Sequence, residues 1–376
     1  MKFVYTEDQT MFRNSADRYG TDHWPATARE TVLKDGLAGH CTAWKTMAEL
    51  GWTLLGISED RGGLGGSAID VMALVERLGR HLVTVPFVTN CILVPSLIAE
   101  AEEGAFLIEG IAAGKLTAAA GLDEEQGGGS PAYVETIAKR TGSDWHLSGV
   151  KAHVEDGGHA DWFVISARQA GEVRDADGIG LFLVAADGPG VTVNRYRAID
   201  GHVHARVTLN HAPARALADH GQALPVIERA LDLALCAHLA EATGSIEAAN
   251  EATLEYLKTR KQFGTTIGSF QALQHRAVDM AVAQEEAMAM CWTAAHACCA
   301  KGAEAAATRQ IAVSAAKVRV GQTGLYVGRQ AVQLHGGIGF SEEHIVSHHL
   351  RRQMMLDMAH GGQGWHLKRF SQLTQG

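Results

Sequence analysis

The chain has 376 residues, 46% of them hydrophobic, and a formal net charge of −9 with no basic block. That length allows two or three domains with sizeable cores, and the charge argues against a nucleic-acid or anionic-membrane partner. An acidic cofactor would have to be held by a few local cations.

The first residues, Met1 to Asp8, lack the apolar run of a secretory signal, and no uncharged apolar stretch of about 18 residues follows, so a cytoplasmic protein without membrane spans is expected. Six cysteines, Cys41, Cys91, Cys236, Cys291, Cys298 and Cys299, show no C-x-x-C spacing. This argues against a zinc knuckle or disulfide framework and for reduced, mostly buried thiols.

Residues 1–115 read as helices joined by turns. The cluster from Arg61 to Ser67 carries four glycines and must be a turn or loop. After it, Ile69, Met72, Val75 and Leu78 recur at helical spacing. Across 116–215 the period changes to short β-branched runs, Trp162–Ile165 and Leu181–Val184, bounded by Gly and Asp turns. From Val203 to Leu209 apolar and polar residues alternate strictly, as in a half-buried antiparallel strand. Over 216–376 helical spacing returns, with Leu273, Ala277, Met280, Met288, Cys291, Ala295 and Cys298 on one repeat and an Ala-rich stretch at 303–318 that permits close helix packing. The expected architecture is mainly α with a central β domain: a helical N-terminal domain, a small antiparallel β-barrel-like domain and a C-terminal four-helix bundle.

Two segments of the last third carry the chemistry. One is Thr259-Arg260-Lys261-Gln262-Phe263-Gly264, followed by Gln271; the other is Gln333-Leu334-His335-Gly336-Gly337-Ile338-Gly339. An always-charged guanidinium at Arg260 suits two-pronged phosphate binding, and Gly336 and Gly337 allow positive φ or a close backbone approach. Taken separately, Arg260 could cap its own helix before Gly264, and the second segment could be a plain helix C-cap and turn. It is not a Rossmann fingerprint, since no strand precedes it and the G-x-G-x-x-G spacing is absent.

Together, and with the α–β–α order of the whole chain, these segments resemble the flavin-binding signatures of the acyl-CoA dehydrogenase family. The resemblance implies a reaction that removes the α-proton of an acyl-CoA thioester while the β-carbon gives a hydride to FAD. It implies that Arg260 and Phe263 reach the pyrophosphate and adenosine of a neighbouring subunit's FAD, with Gln271, Gln333, Gly336 and Gly337 also cofactor-binding. The protein would then work as a homo- or hetero-oligomer, a dimer or tetramer, with an electron-transfer flavoprotein or similar acceptor.

The chain departs from the family at the base. Where the family usually keeps its catalytic glutamate, this sequence has His360, followed by Gly361 and Gly362. A subset of the family keeps it on the helix before the Arg-x-x-Phe-Gly motif, and there the chain has Ala234. Glu241 lies on the same helical face nearly two turns on, roughly 10 Å along the axis, in an Ala-Glu-x-x-Gly element similar to one in bacterial members lacking the C-terminal glutamate. Glu241 is thus the candidate base, with His360 the second, an imidazole titrating near working pH. The alternative for Glu241 is a salt bridge inside the bundle.

The β domain departs too, since the stretch Lys151-Ala152-His153-Val154-Glu155-Asp156-Gly157-Gly158 stands where relatives carry Trp-x-Thr before a Gly-Gly turn beside the flavin. The vacancies resemble the smaller or partner chains of bacterial heteromeric members that act on bulky or ring-containing acyl groups, as in lipid or steroid degradation. Two other readings remain open: a non-catalytic subunit completing a partner's FAD site, and a flavin oxidase or monooxygenase on the same fold. His344, His348 and His349 include a zinc-type i, i+4 pair, but spacing places no third ligand and no metal is expected. Arg351 and Arg352 read as surface or interface charges.

Overall fold

The computed structural model describes residues 3–25, 37–217, 223–302 and 304–375, with backbone only at 37–41. In chain order, helices α1 (Glu7–His23), α2 (Leu37–Glu49), α3 (Ala68–Arg80), α4 (Val94–Ile98) and α5 (Ala105–Ala112) come first. Strands β1 (Ala118–Gly121), β2 (Ile137–Thr141), β3 (Asp144–Val154), β4 (Trp162–Arg168), β5 (Ile179–Ala185), β6 (Val191–Arg197) and β7 (Val203–Ala216) follow. Helix α6 (Ala223–Thr259) leads through a two-stranded hairpin, β8 (Lys261–Gln262) and β9 (Thr265–Thr266), to α7 (Gln271–Cys298), α8 (Ala305–His335), α9 (Ile345–Met358) and α10 (Gln363–Gln375). Two compact units result, one drawn from 1–31, 68–83 and 235–376, the other from 32–67 and 84–234.

The second unit holds the sheet. Strands β4, β5, β7, β3 and β2 pair in succession, and a β2–β4 contact at Ile137 and Arg168 returns the order to its start, so the sheet closes as a small barrel. Its interior is packed with Leu147, Phe163, Ile165, Phe182, Val207 and Leu209. The expectation of a purely antiparallel domain is corrected in one respect: β4 runs parallel to both β1 and β2. Arg168 fixes this junction. Its guanidinium donates to the carbonyls of Val134, Ala132, Val173 and Asp175, satisfying loop acceptors that no strand reaches. Inside the barrel Lys151 is fully buried and donates to Glu124 at 2.6 Å, and Glu124 also accepts from Thr136. The charge of each keeps the other's burial tolerable.

In the first unit a capping box starts α1, with Gln9 N donating to Thr6 Oγ1 at 3.3 Å and Thr6 N to Gln9 Oε1 at 3.0 Å. Helix α1 lies on α3, where Gln9 donates to Asp70 and Arg13 to the buried Glu76. The anticipated α3 repeat is in place: Met72, Val75 and Leu78 are buried. The later helices form the bundle. Asn250 of α6 donates to Met280 O of α7 at 3.2 Å, Arg276 of α7 to Gln330 of α8 at 3.2 Å, and Gln353 of α9 to Ala242 O of α6 at 2.9 Å. In the apolar repeat of α7, Met280, Cys291 and Ala295 are buried, while Leu273, Ala277, Met288 and Cys298 are half-buried. Among the described residues the cysteines are free, Cys91, Cys236 and Cys291 buried, and no helix is long and apolar enough to cross a membrane.

Candidate functional site

Helix α6 ends at Thr259, and Arg260 N still bonds back to Tyr256 O before the chain turns out into the β8–β9 hairpin. Phe263 sits at its tip in the left-handed region, φ +54°, and is 90% exposed. A bulky residue held out in that conformation is strained and costs apolar exposure. Its ring meets the edge of Phe270, at 6.1 Å between centroids. Arg260 and Gln271 are exposed beside it, and Gln271 opens α7, whose N-terminus has no side-chain cap. Free backbone N–H groups at a helix start favour an anion.

The second segment ends α8. Gly336 takes φ +66° as its cap, and a β-carbon at Gly336 or Gly337 would meet nothing within 4 Å, so the turn offers open, exposed backbone. Here the helix-cap and cofactor readings are compatible. The turn is seated on buried His335, whose ring stacks on Tyr256 at 4.4 Å and meets His344 at 4.4 Å, while Nδ1 donates to Ala331 O at 2.7 Å. Burial depresses the basicity of His335 and of His344. Because α7 and α8 are antiparallel and joined by Arg276 and Gln330, the start of one helix and the end of the other share one end of the bundle. That brings the Gln271 and Gln333 segments together. A flat exposed ring, a guanidinium, two amides, an uncapped helix start and an open glycine turn fit a dinucleotide.

His360 lies between α9 and α10 at φ +51°. Its turn is clasped from below. Buried Lys317 of α8 donates to the carbonyls of Leu356 and, at 3.0 Å, Ala359, and His366 Nε2 donates to His360 O at 3.2 Å. Fully buried His366 reaches Ser314 Oγ through Nδ1 at 3.3 Å. Burial, with Lys317 nearby, pushes its pKa down to about 3.

Glu241 is not the free carboxylate a base requires. Arg352 Nε donates to Oε1 at 2.6 Å and a terminal nitrogen to Oε2 at 2.8 Å, and the two residues are only 7% and 5% exposed. Burial pushes this carboxyl upward, but Arg352 and His238 more than offset it and hold it well below the usual carboxylate range. Glu241, the candidate base of the sequence, thus stands in a buried ion pair, the alternative that the sequence left open. Arg352 is corrected with it, from a surface charge to a core one; Arg351 does pair at the surface, with Glu342 at 2.6 Å. Glu241 Oε2 also lies 3.5 Å from His238 Nδ1 one turn back, and the His238 ring is 5.6 Å from that of His360. The glycine of the Ala-Glu-x-x-Gly element has its own reason. A β-carbon on Gly244 would overlap Glu76 O, and one on Gly79 would overlap Glu241 O, so α3 and α6 touch backbone to backbone.

His238 and Lys317 escaped the sequence reading. His238 had a usable signal, since it stands three residues before Glu241 and one turn after Ala234. Lys317 and Arg352 had none, their partners lying 39 and 111 residues away. At α9 His344 Nδ1 accepts from Val346 N, His348 Nε2 meets Glu342 O at 2.8 Å and His349 Nδ1 meets Ser245 Oγ at 2.9 Å. The three imidazoles serve different partners.

In the sheet unit the His153 segment is bound into a histidine-rich cluster. Asp156, at φ +54° and buried, accepts from Thr89 Oγ1 at 2.9 Å and His202 Nδ1 at 3.0 Å, while its N–H donates to His204 Nδ1 at 3.1 Å. His204 is buried despite its place among the polar positions of the alternating strand. Burial pushes its pKa down to about 4. His153 Nδ1 meets Tyr196 OH at 2.5 Å, and Glu155 is buried.

Family models for the acyl-CoA dehydrogenase N-terminal, middle and C-terminal domains match residues 6–104, 119–212 and 221–371. The chain is 28% identical over 378 residues to the 3-sulfinopropanoyl-CoA desulfinase of Paraburkholderia xenovorans (strain LB400), covering 96% of this chain and 94% of that one. It is 29% identical to a variant of the Tcur3481-Tcur3483 steroid ACAD, with a TM-score of 0.86 and 98% of each chain covered. The butyryl-CoA dehydrogenase of Megasphaera elsdenii shares the fold at a TM-score of 0.89 and 23% identity, with 100% of each chain covered.

Proposed function

We infer this protein's chemistry from one established premise: the chain belongs to the acyl-CoA dehydrogenase family. Family and fold support an oxidoreductase that dehydrogenates an acyl-CoA. The finer reading proposed here is FAD-dependent α,β-dehydrogenation of a bulky acyl-CoA by an assembly in which this chain is one of two unlike subunits.

The exposed surface formed by the Phe263 hairpin and the Gly336–Gly337 turn carries this reading. On it Arg260 would hold the pyrophosphate, Phe263 would lie against the adenosine, and Gln271 and Gln333 would hydrogen-bond the rest, all toward a neighbouring subunit's cofactor. FAD, when bound, supplies the hydride acceptor. Support for an unlike partner comes from what the chain lacks, because neither Ala234 nor His360 offers a carboxylate and Glu241 is engaged by Arg352. A bulky substrate and a two-component assembly are features of the Tcur3481-Tcur3483 steroid ACAD at 29% identity. An electron-transfer flavoprotein or similar acceptor would reoxidise the flavin.

A second reading, a non-catalytic subunit that only completes a partner's FAD site, is favoured by the absence of Trp-x-Thr from the stretch 151–158. Co-expression with candidate partner chains decides between them. Retained flavin and enoyl-CoA formation that depend on His360 or His238 of this chain support the first; full activity after both are replaced supports the second.

A further inference from the structure

We propose that a cavity of the sheet-bearing unit, lined by Trp44, Lys45 and Lys115, is a second ligand site, built for a small organic monocarboxylate with an apolar body. It shares no residue with the cofactor surface and does not rest on the dehydrogenation reading.

The cavity has a volume of about 800 Å³, within the range of small-molecule sites, and every residue that lines it belongs to this one unit. Helix α2 forms one wall and the turn after α5 a second. Gly114, at φ +67°, lets that turn close on the helix, since a β-carbon there would stand 2.7 Å from Ala48 Cβ. Residues just before β1 and β4 make the third wall, where Thr117 N donates to Asp161 Oδ2 at 2.8 Å and Thr117 Oγ1 to His159 O at 2.7 Å. Trp44, Ala48, Pro86 and Ala112 give the lining its apolar surface. His159 joins them as a neutral ring, because burial lowers its basicity.

Three donors in this lining await an acceptor. Trp44 is 3% exposed, and its Nε1–H is buried with no hydrogen-bond partner among the described residues. Such a group costs free energy until an oxygen meets it, and a small turn of the ring presents it to the cavity. Lys45 and Lys115 are exposed, and neither ammonium is ion-paired among the described residues. A carboxylate answers all three, accepting from the indole and the ammoniums with its single charge. The acids of the lining limit that charge. Asp161 is bonded to Thr117, but Glu49 stands exposed one turn after Lys45, so a multiply charged anion meets a repulsion that a monocarboxylate largely escapes.

Octanoate is the probe. It is titrated calorimetrically and anaerobically into the full chain with its flavin and any partner chain, first alone and then with excess octanoyl-CoA to fill the acyl-CoA site. We expect one octanoate per chain in both titrations, with a Kd below about 1 mM. Affinity should fall about tenfold or more in Trp44→Phe, which keeps a ring but removes the N–H, and likewise in Lys45→Gln with Lys115→Gln. Octylamine should not saturate the site. Melting temperature and flavin absorbance check that each variant is folded; should Trp44→Phe fail to fold, the exposed lysine pair decides. No saturable octanoate binding, affinity within twofold of the unaltered protein's in a folded variant, or octylamine binding as tight as octanoate overturns the site. Octanoate binding that vanishes with octanoyl-CoA also overturns it, placing the acid in the acyl-CoA site and leaving the dehydrogenation reading intact.

Discussion

Arg352 holds Glu241 by two parallel hydrogen bonds, 2.6 and 2.8 Å, across 111 residues of sequence, with both side chains almost out of reach of water. Neither partner can leave without stranding the other's charge. Arg352→Met should therefore cost about 3–5 kcal/mol, read as a drop in the denaturation midpoint. The double replacement Arg352→Met with Glu241→Met should recover most of it. A single variant as stable as the unaltered chain would refute the pairing. The acid limb follows in sign: the folded carboxyl sits below its ordinary value of 4.5, so its contribution is full above that pH and is lost as pH falls through the folded value.

His366 should make the fold acid-sensitive at milder pH. Its folded pKa of about 3 lies below the ordinary 6.5, so the unfolded chain takes up a proton that the folded chain refuses. Stability is full above about 6.5 and declines below it by about 1.4 kcal/mol per pH unit at most, until pH nears 3. His204, pushed down to about 4, adds a slope of the same sign. Denaturant titrations from pH 7 to 4 on the unaltered chain and His366→Gln measure it; the variant should show the shallower dependence.

Gly244→Ala should destabilise the bundle by more than 2 kcal/mol, because the added methyl would overlap Glu76 O where α3 and α6 touch. Alanine is the better helix former, so propensity alone predicts a gain. Thermal melting decides which term wins.

Phe263→Ala should leave the melting point of this chain nearly unchanged, within about 0.5 kcal/mol, since a side chain 90% exposed loses little packing. Flavin retention by the assembled protein should fall. Arg260→Gln should weaken it by about tenfold or more, the worth of a charge-assisted phosphate contact. Flavin absorbance after gel filtration provides the measure, and unchanged retention in both variants would remove this surface from cofactor binding.

What the sequence by itself determined here is local. The 3.6-residue repeats of α3 and the alternation of β7 mark their elements because a helix or strand face is written in neighbouring residues. The Arg260–Gly264 and Gln333–Gly339 segments are contiguous, so the family was legible before any coordinates. What tertiary structure decided is long-range. Whether Arg352 is a surface charge or half of a buried pair depends on Glu241, 111 residues away, and no spacing rule reaches that far. His204 is buried against its strand's alternation, in a place where Asp156 N, 48 residues away, donates to its Nδ1. The surroundings of Glu241 escaped the sequence for the same reason: a carboxylate's basicity is set by the charges folded against it, and here folding brought up Arg352 and His238.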